Sequence, residues 1–274
     1  MIEPDWVLKT VDQNIIENII KEFKVPEIFA RVLANRNLTN VSESTKFMST
    51  DLNQLHSPFL MNNMETAVDR VMTQLDKKKR ILIFGDYDVD GICSSALLYM
   101  FFKSLGGDVQ FYIPHRKIEG YGLSKKGIEY AQHIGADLLI TCDCGISSIH
   151  ETEYANRKNI DIIITDHHKQ GSILPKAHSI LNPNQINCNY PFKGLCGAGV
   201  AFKFITAICI RKKLDLKIAL KYCDLVSVAI AADVVPMLDE NRNIMDYGIR
   251  QPKFMVVKME PVIKLEVTLA LRKQ

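Results

Sequence analysis

Apolar residues follow two rhythms along the chain. Over residues 1–75 they recur at helical spacing, as in Ile15, Ile16, Ile19, Ile20 and Phe23 and again in Ile28, Phe29, Val32 and Leu33, with no alternation of period two. This predicts a helical N-terminal lead-in. After Lys77-Lys78-Lys79-Arg80, short β-branched runs take over at Ile81–Phe84, Val109–Ile113, Asp137–Thr141 and Ile160–Thr165. Between them, residues 92–105, 124–135 and 146–158 are amphipathic over helix lengths; the first closes at Gly106-Gly107 and the second opens at Ser124. Strand and helix alternating in this way predict an α/β domain over residues 76–248, built as a doubly wound parallel sheet. A Pro/Asn-rich connector (Leu181–Pro191), a Gly-rich turn leading into a helix (Gly197–Ile210) and one long apolar helix (about Leu216 to Ala232) follow. Residues 249–274 have weak character of either kind and are expected to form a divergent, disordered tail.

With 47% hydrophobic and 24% charged residues over 274 positions, the chain has the composition of a soluble globular protein with a substantial core. No run reaches the roughly 18 to 20 apolar residues of a membrane span, and the N-terminus lacks a signal-peptide core, so a cytoplasmic protein without a membrane partner is expected. The formal charge is +3, but residues 250–274 hold six Lys/Arg against two Glu, which leaves residues 1–249 at −1. A polyanion would therefore be held by a local groove or by metal ions, not by a basic field over the whole body. The seven cysteines are an odd number and lie beside or inside apolar runs, which suits reduced thiols.

In an open parallel sheet, ligands bind beyond the carboxyl ends of the strands. Those positions are rich in acids and imidazoles here: Asp86, Asp88 and Asp90 after the first run, Asp143 between Cys142 and Cys144 after the third, and Asp166-His167-His168 after the fourth. Three acids at alternating positions repel one another unless a cation sits among them, and extended backbone would aim all three the same way. A calcium loop of the EF-hand type is the alternative, but its twelfth position, a Glu in that motif, is Leu97. Asp143 alone reads as a helix cap. Paired imidazoles beside carboxylates suit Mn²⁺, Zn²⁺ or Fe²⁺ better than Ca²⁺. Asp233 interrupts the apolar run Leu225–Ala232 just before Val234-Val235-Pro236; it is either a coordinated carboxylate or one that emerges at a helix end.

Together these stretches resemble the DHH phosphoesterase superfamily and, within it, the RecJ branch of bacterial single-strand-specific exonucleases. The resemblance runs over roughly residues 5–248, through WVLK, DLNQLHSPFLM, ILIFGDYDVDGICSSALL, YIPHRKIEGYGLS, LLITCDCGISS, DIIITDHHKQG with LNPNQ, LCGAGVAFKF and AIAADVVPMLDENR. It implies a dinuclear centre of two divalent ions, Mn²⁺ first and Mg²⁺ second. Asp88 and Asp90 would each hold one metal, Asp143 would bridge them, His167 and Asp233 would complete the second, and Asp86 would compensate at the first. Phe84 stands where other branches place a His, which favours the RecJ branch. His168 is implied as a contact to the substrate phosphate or as an alternative ligand, with Asp90, Asp143 and His168 as the catalytic set.

The implied reaction is metal-dependent hydrolysis of phosphodiesters from the 5′ end of single-stranded DNA, releasing 5′-mononucleotides in repair and recombination, with single-strand-binding protein or a helicase as partners. Arg116, after the second run, is the candidate phosphate contact outside the metals. Gly197 and Gly199, before a helix, could cradle a phosphate through backbone N–H groups or serve tight packing. Cys142 and Cys144 are expected to be small buried residues rather than zinc ligands. Chains of this family continue past the ENR segment into a DHH-associated domain and an OB-fold; residues 251–274 do not look like that continuation, so the expectation is a C-terminally truncated catalytic portion whose activity is impaired. A non-catalytic nucleic-acid-binding module and a phosphodiesterase for short oligonucleotides or cyclic dinucleotides are the alternatives.

Overall fold

The computed structural model describes Val7 and residues 9–251, which divide into two compact units at Asp51/Leu52. The first unit is helical, as the spacing predicts: α1 (Gln13–Phe23), α2 (Glu27–Asn35) and α3 (Val41–Met48). Asp12 opens α1 by accepting from the Asn14 N–H, and Asn40 opens α3 by accepting from the Glu43 N–H, each satisfying a donor that the first turn leaves unpaired. Ile16, Ile19, Ala30, Leu33 and Ala34 form its core. Ile28, Phe29 and Val32 of α2 are on its exposed side.

The second unit is built on five parallel strands in the order β2-β1-β3-β4-β5: β1 (Ile81–Gly85), β2 (Val109–Tyr112), β3 (Leu138–Cys142), β4 (Asp161–Thr165) and β5 (Ser179–Leu181). Side chains alternate between the faces of a strand, and the alternation divides two cores. Ile81, Ile83, Leu138, Ile140 and Ile163 face one layer with α4 (Met64–Asp76) and α5 (Val89–Ser104). Leu82, Phe84, Leu139, Ile162 and Ile164 face the other, with the short α6 (Arg116–Glu119) at the strand ends and α7 (Lys125–His133) and α8 (Ile149–Arg157) in the layer. Helices on both faces explain why β1 and β3 are buried at every position.

Several elements differ from the sequence expectation. The unit boundary precedes α4, which packs on β5 and on α9 (Gly197–Arg211), so the α/β unit begins well before residue 76. Strand β5 has three residues, too short a run to show a period. The long helix expected at Leu216–Ala232 is broken into α10 (Lys217–Leu220) and α11 (Cys223–Ala232), and an unforeseen α12 (Asp239–Ile249) packs on α11. The expected tail lies outside the described residues from 252 onward. Among the described residues, no helix is long and apolar enough to cross a membrane.

Candidate metal centre

The carboxyl ends of β1, β3 and β4 hold the acids and imidazoles in register. The N–H of Asp86 donates to the Cys142 carbonyl, that of Asp143 to Thr165 and that of Asp166 to Leu181. Each strand thus pins the first residue past its neighbour, and the three side chains emerge along one edge. Asp143 adopts left-handed backbone at φ 59°, a conformation that Asp tolerates better than most side chains. Its neighbour Gly197 has no room for a side chain, since a Cβ there would lie 2.6 Å from the Asp143 Cβ.

The three acids after β1 do not share one extended strand, as the sequence suggested. Asp88 caps α5, accepting from the Gly91 N–H at 2.9 Å, and Asp90 already lies in the first helical turn. The change of backbone sends the acids to different partners. Asp86, Asp88 and Asp143 bring one oxygen each within 4.8 Å of one another; Asp90, His167 and Asp233 do the same, as do Asp143, His167 and His168. Asp143 is common to two of these groups and His167 to two. His167 Nε2 stands 3.1 Å from Asp143 Oδ1, 3.6 Å from Asp233 Oδ2 and 3.8 Å from Asp90 Oδ2.

Both oxygens of Asp90 accept from the start of α9, Oδ2 from the Gly197 N–H at 2.6 Å and Oδ1 from Ala198 at 2.8 Å. Of the two readings of that glycine turn, tight packing is the one the geometry favours: the Gly197 and Ala198 N–H groups are taken up by Asp90, Gly197 allows the approach to Asp143, and Gly199 packs on Leu195. Asp233 lies at the C-cap of α11 with its side chain 31% exposed. A carboxylate at the negative end of a helix gains nothing from the helix dipole, so its position beside His167 is not explained by stability.

Four buried side-chain polar atoms among the described residues lack a hydrogen-bond partner, and three of them, Asp86 Oδ1, Asp143 Oδ1 and His167 Nε2, belong to this cluster. Each such atom costs on the order of 1–3 kcal/mol when nothing replaces its water. The acids respond as unpaired buried carboxylates do. Burial pushes Asp86 up to about 6; burial, with the negative charges of Asp90 and Asp88, pushes Asp143 up to about 10. Burial also raises Asp90, against the opposing N–H groups of α9. Oxygen and imidazole donors converging with unsatisfied lone pairs fit a divalent cation of the Mn²⁺, Zn²⁺ or Mg²⁺ type.

Asp166 is different. Burial works to raise it, but the hydrogen bond and charge of His168, with the N–H groups of His168 and Ile146, outweigh burial and hold it below the usual carboxylate range. His168 Nδ1 lies 2.7 Å from Asp166 Oδ1, and this bond raises the imidazole. The His168 side chain is 44% exposed, with the Tyr121 hydroxyl 3.2 Å from Nδ1. Asp166 is thus a positioning carboxylate that sequence reasoning passed over. So are Asn182 and Asn184, whose amides donate to the carbonyls of His168 and His167; the LNPNQ stretch was the available signal. Asn241 donates to the carbonyls of Gly194 and Pro236, tying the loop after Asp233 to the turn before Gly197.

Arg116, the basic stretch before β1 and the two cysteines beside Asp143 take no part in these groups. Arg116 is exposed at the start of α6 with its guanidinium 5.2 Å from the Tyr87 ring centroid. Lys79 and Arg80 pair with Asp137 and Asp108 at the opposite ends of the strands. Cys142 and Cys144 are buried with their thiols pushed up by burial, and all seven cysteines are free.

The family described as "DHH family, N-terminal domain" matches residues 80–230, more than half of the chain. The single-stranded-DNA-specific exonuclease RecJ of Bacillus subtilis (strain 168) is 34% identical over 246 residues, covering 90% of this chain and 30% of that protein. Its counterpart in Escherichia coli (strain K12) is 33% identical over 234 residues, covering 82% of this chain and 40% of that protein. A crystal structure of exonuclease RecJ bound to manganese matches with a TM-score of 0.66 at 32% identity, over 74% of this chain and 51% of that one. RecJ from Thermus thermophilus in complex with Mn²⁺ matches with a TM-score of 0.70 at 25% identity, over 88% of this chain and 34% of that one. The chain thus spans 30% and 40% of the length of these two curated relatives.

Proposed function

The chain belongs to the DHH family, and from that premise we propose that it carries the metal-dependent phosphodiesterase centre of an exonuclease acting on single-stranded DNA from its 5′ end. The observation that carries this reading is the shared position of Asp143, buried and with an unpaired oxygen, between the acids after β1 and the imidazole of His167. Asp86, Asp88 and Asp143 would hold one divalent ion, and Asp143, Asp90, His167 and Asp233 a second. Such ions, Mn²⁺ by likeness to the manganese-bound relatives and Mg²⁺ by oxygen-rich chemistry, supply a water of lowered pKa and neutralise charge that develops on the phosphoryl group.

The protein's own side chains do the rest. Asp90 is oriented before substrate arrives by two N–H groups of α9. His168, its imidazole raised by the hydrogen bond to Asp166 and half exposed, is placed to donate to a phosphate oxygen beside Asp143. Arg116 offers a further cation on the same edge of the sheet for a neighbouring phosphate. The test is the purified protein with Mn²⁺, given 5′-labelled single-stranded DNA, duplex DNA and a dinucleotide beside an Asp143→Ala control. Mononucleotides from single strands alone are expected. Equal attack on duplex, or strand binding without hydrolysis, would contradict the assignment, and the second result would favour a non-catalytic binding module.

A further inference from the structure

A cavity of about 370 Å³ adjoins the acid cluster on the far side of His168, between the loop after α6 and the turn that opens α8. Tyr121, Gly122, Ile146, Ser147, Glu151 and His168 are among its lining residues. Its size falls at the lower end of the roughly 300–1,000 Å³ typical of small-molecule sites. It meets the cluster through His168, with Asp166, the partner of that imidazole, beside it. A molecule whose phosphate lies against Asp143 and His168 would therefore have this cavity as its neighbour.

The lining excludes a second phosphate. No Lys or Arg contributes to it, and two carboxylates, Asp166 and Glu151, do. What it offers matches the edge and face of a planar heterocycle. Tyr121 is 57% exposed, and its ring is fixed at one edge by the hydroxyl, 3.4 Å from the Asp143 carbonyl and 3.2 Å from His168 Nδ1. The side chain of Glu151, in the first turn of α8, makes no hydrogen bond or ion pair among the described residues. Ser148 precedes that turn without capping it, so donors stand beside the acceptor. Backbone at φ 88° for Gly122 and 111° for Gly145 requires glycine in both walls.

We propose that this cavity receives the base of a nucleotide flanking the scissile phosphate, with Tyr121 against its face and Glu151 accepting from its amino group. The proposal rests on the nuclease reading above for the position of the phosphate. Adenine, cytosine and guanine carry an exocyclic amino group and thymine does not. A carboxylate placed against that amino group therefore favours the first three, since thymine could offer a carboxylate only its ring N3–H.

The experiment measures binding of dAMP, dCMP, dTMP and inorganic phosphate to the Mg²⁺-loaded chain by calorimetry or ligand-observed NMR, for wild type, Glu151→Ala and Ser147→Trp. Nucleotides are expected to bind about tenfold more tightly than phosphate. Ser147 is exposed, so the indole is tolerated by the fold, fills the cavity and removes that advantage while phosphate binding stays unchanged. Glu151→Ala weakens dAMP and dCMP about tenfold and dTMP less than about twofold, since a charge-assisted hydrogen bond is lost only with the amino-bearing bases. Equal affinity for nucleotide and phosphate, no binding of either, or equal loss of both in Ser147→Trp overturns the proposal. Failure of the nuclease reading shows separately, as intact oligonucleotide in the hydrolysis assay whatever the mononucleotides do.

Discussion

Two of the places where the second unit buries carboxylates are treated in opposite ways. Glu240, at the start of α12, is fully buried, yet every part of it is answered: Lys203 forms an ion pair with it, the Tyr190 hydroxyl donates to Oε2 and the His56 N–H donates to Oε1. Lys203 in turn donates to the His56 carbonyl. Asp86 and Asp143, both 2% exposed, form no ion pair with Lys or Arg among the described residues and keep unpaired oxygens. The fold can satisfy a buried acid where stability is the only demand. Leaving two acids and an imidazole unsatisfied together, at the ends of three adjacent strands, is the mark of a site whose missing partner comes from outside.

The contrast can be broken first at Asp143. Asp143→Asn is expected to lower turnover by about 10³-fold or more, because it removes the shared charged donor, while the melting temperature of the cation-free protein holds or rises. A fall in cation-free stability, measured by thermal unfolding, would place Asp143 with Glu240 as a structural acid. Next in size, Lys203→Met leaves Glu240 buried and uncompensated and is expected to cost about 3–5 kcal/mol in denaturant unfolding. Turnover per folded molecule should stay near wild type.

A smaller effect lies in the pH dependence. Asp86 and Asp143 have raised values, so the folded cation-free protein binds more protons than the unfolded chain. Their contribution is fully present below the ordinary carboxylate value of 3.8 and is lost as pH rises, through about 6 for Asp86 and on toward about 10 for Asp143. Cations reverse the trend, since they require ionised ligands. The increase in melting temperature on adding Mn²⁺ should therefore be larger at pH 8 than at pH 5, and an increase independent of pH would mean that other groups bind the ion. Smallest is Arg116→Ala, expected to raise KM for single strands by up to about tenfold with kcat little changed, which steady-state kinetics on one oligonucleotide can check.

Much of this was legible in the sequence because strands buried on both faces read as β-branched runs, and because acids placed just after such runs are destabilising unless used. The four longer strands, the crossover helices and the gathering of Asp86, Asp88, Asp90, Asp143, His167 and Asp233 followed from that alone or from the family resemblance. The division of labour did not. It depends on α5 starting at Val89, which turns Asp90 away from Asp86 and Asp88 toward His167. Asp166 looked like one acid among others, although local N–H groups and His168 satisfy it completely. The turn at Gly197 reads as a phosphate loop until the partner of its N–H groups, more than a hundred positions earlier at Asp90, is known. Strand β5 and the break before α11 are set by packing, which leaves no period in three residues and no breaker at Lys221 or Tyr222.

The central claim is that these unpaired atoms await divalent cations, and anomalous diffraction from a Mn²⁺-soaked crystal tests it most directly. Peaks are expected among Asp86, Asp88 and Asp143 and among Asp90, His167 and Asp233, both lost in Asp143→Asn. Absence of any peak in this pocket, or peaks that persist undiminished without the Asp143 carboxylate, would contradict the account.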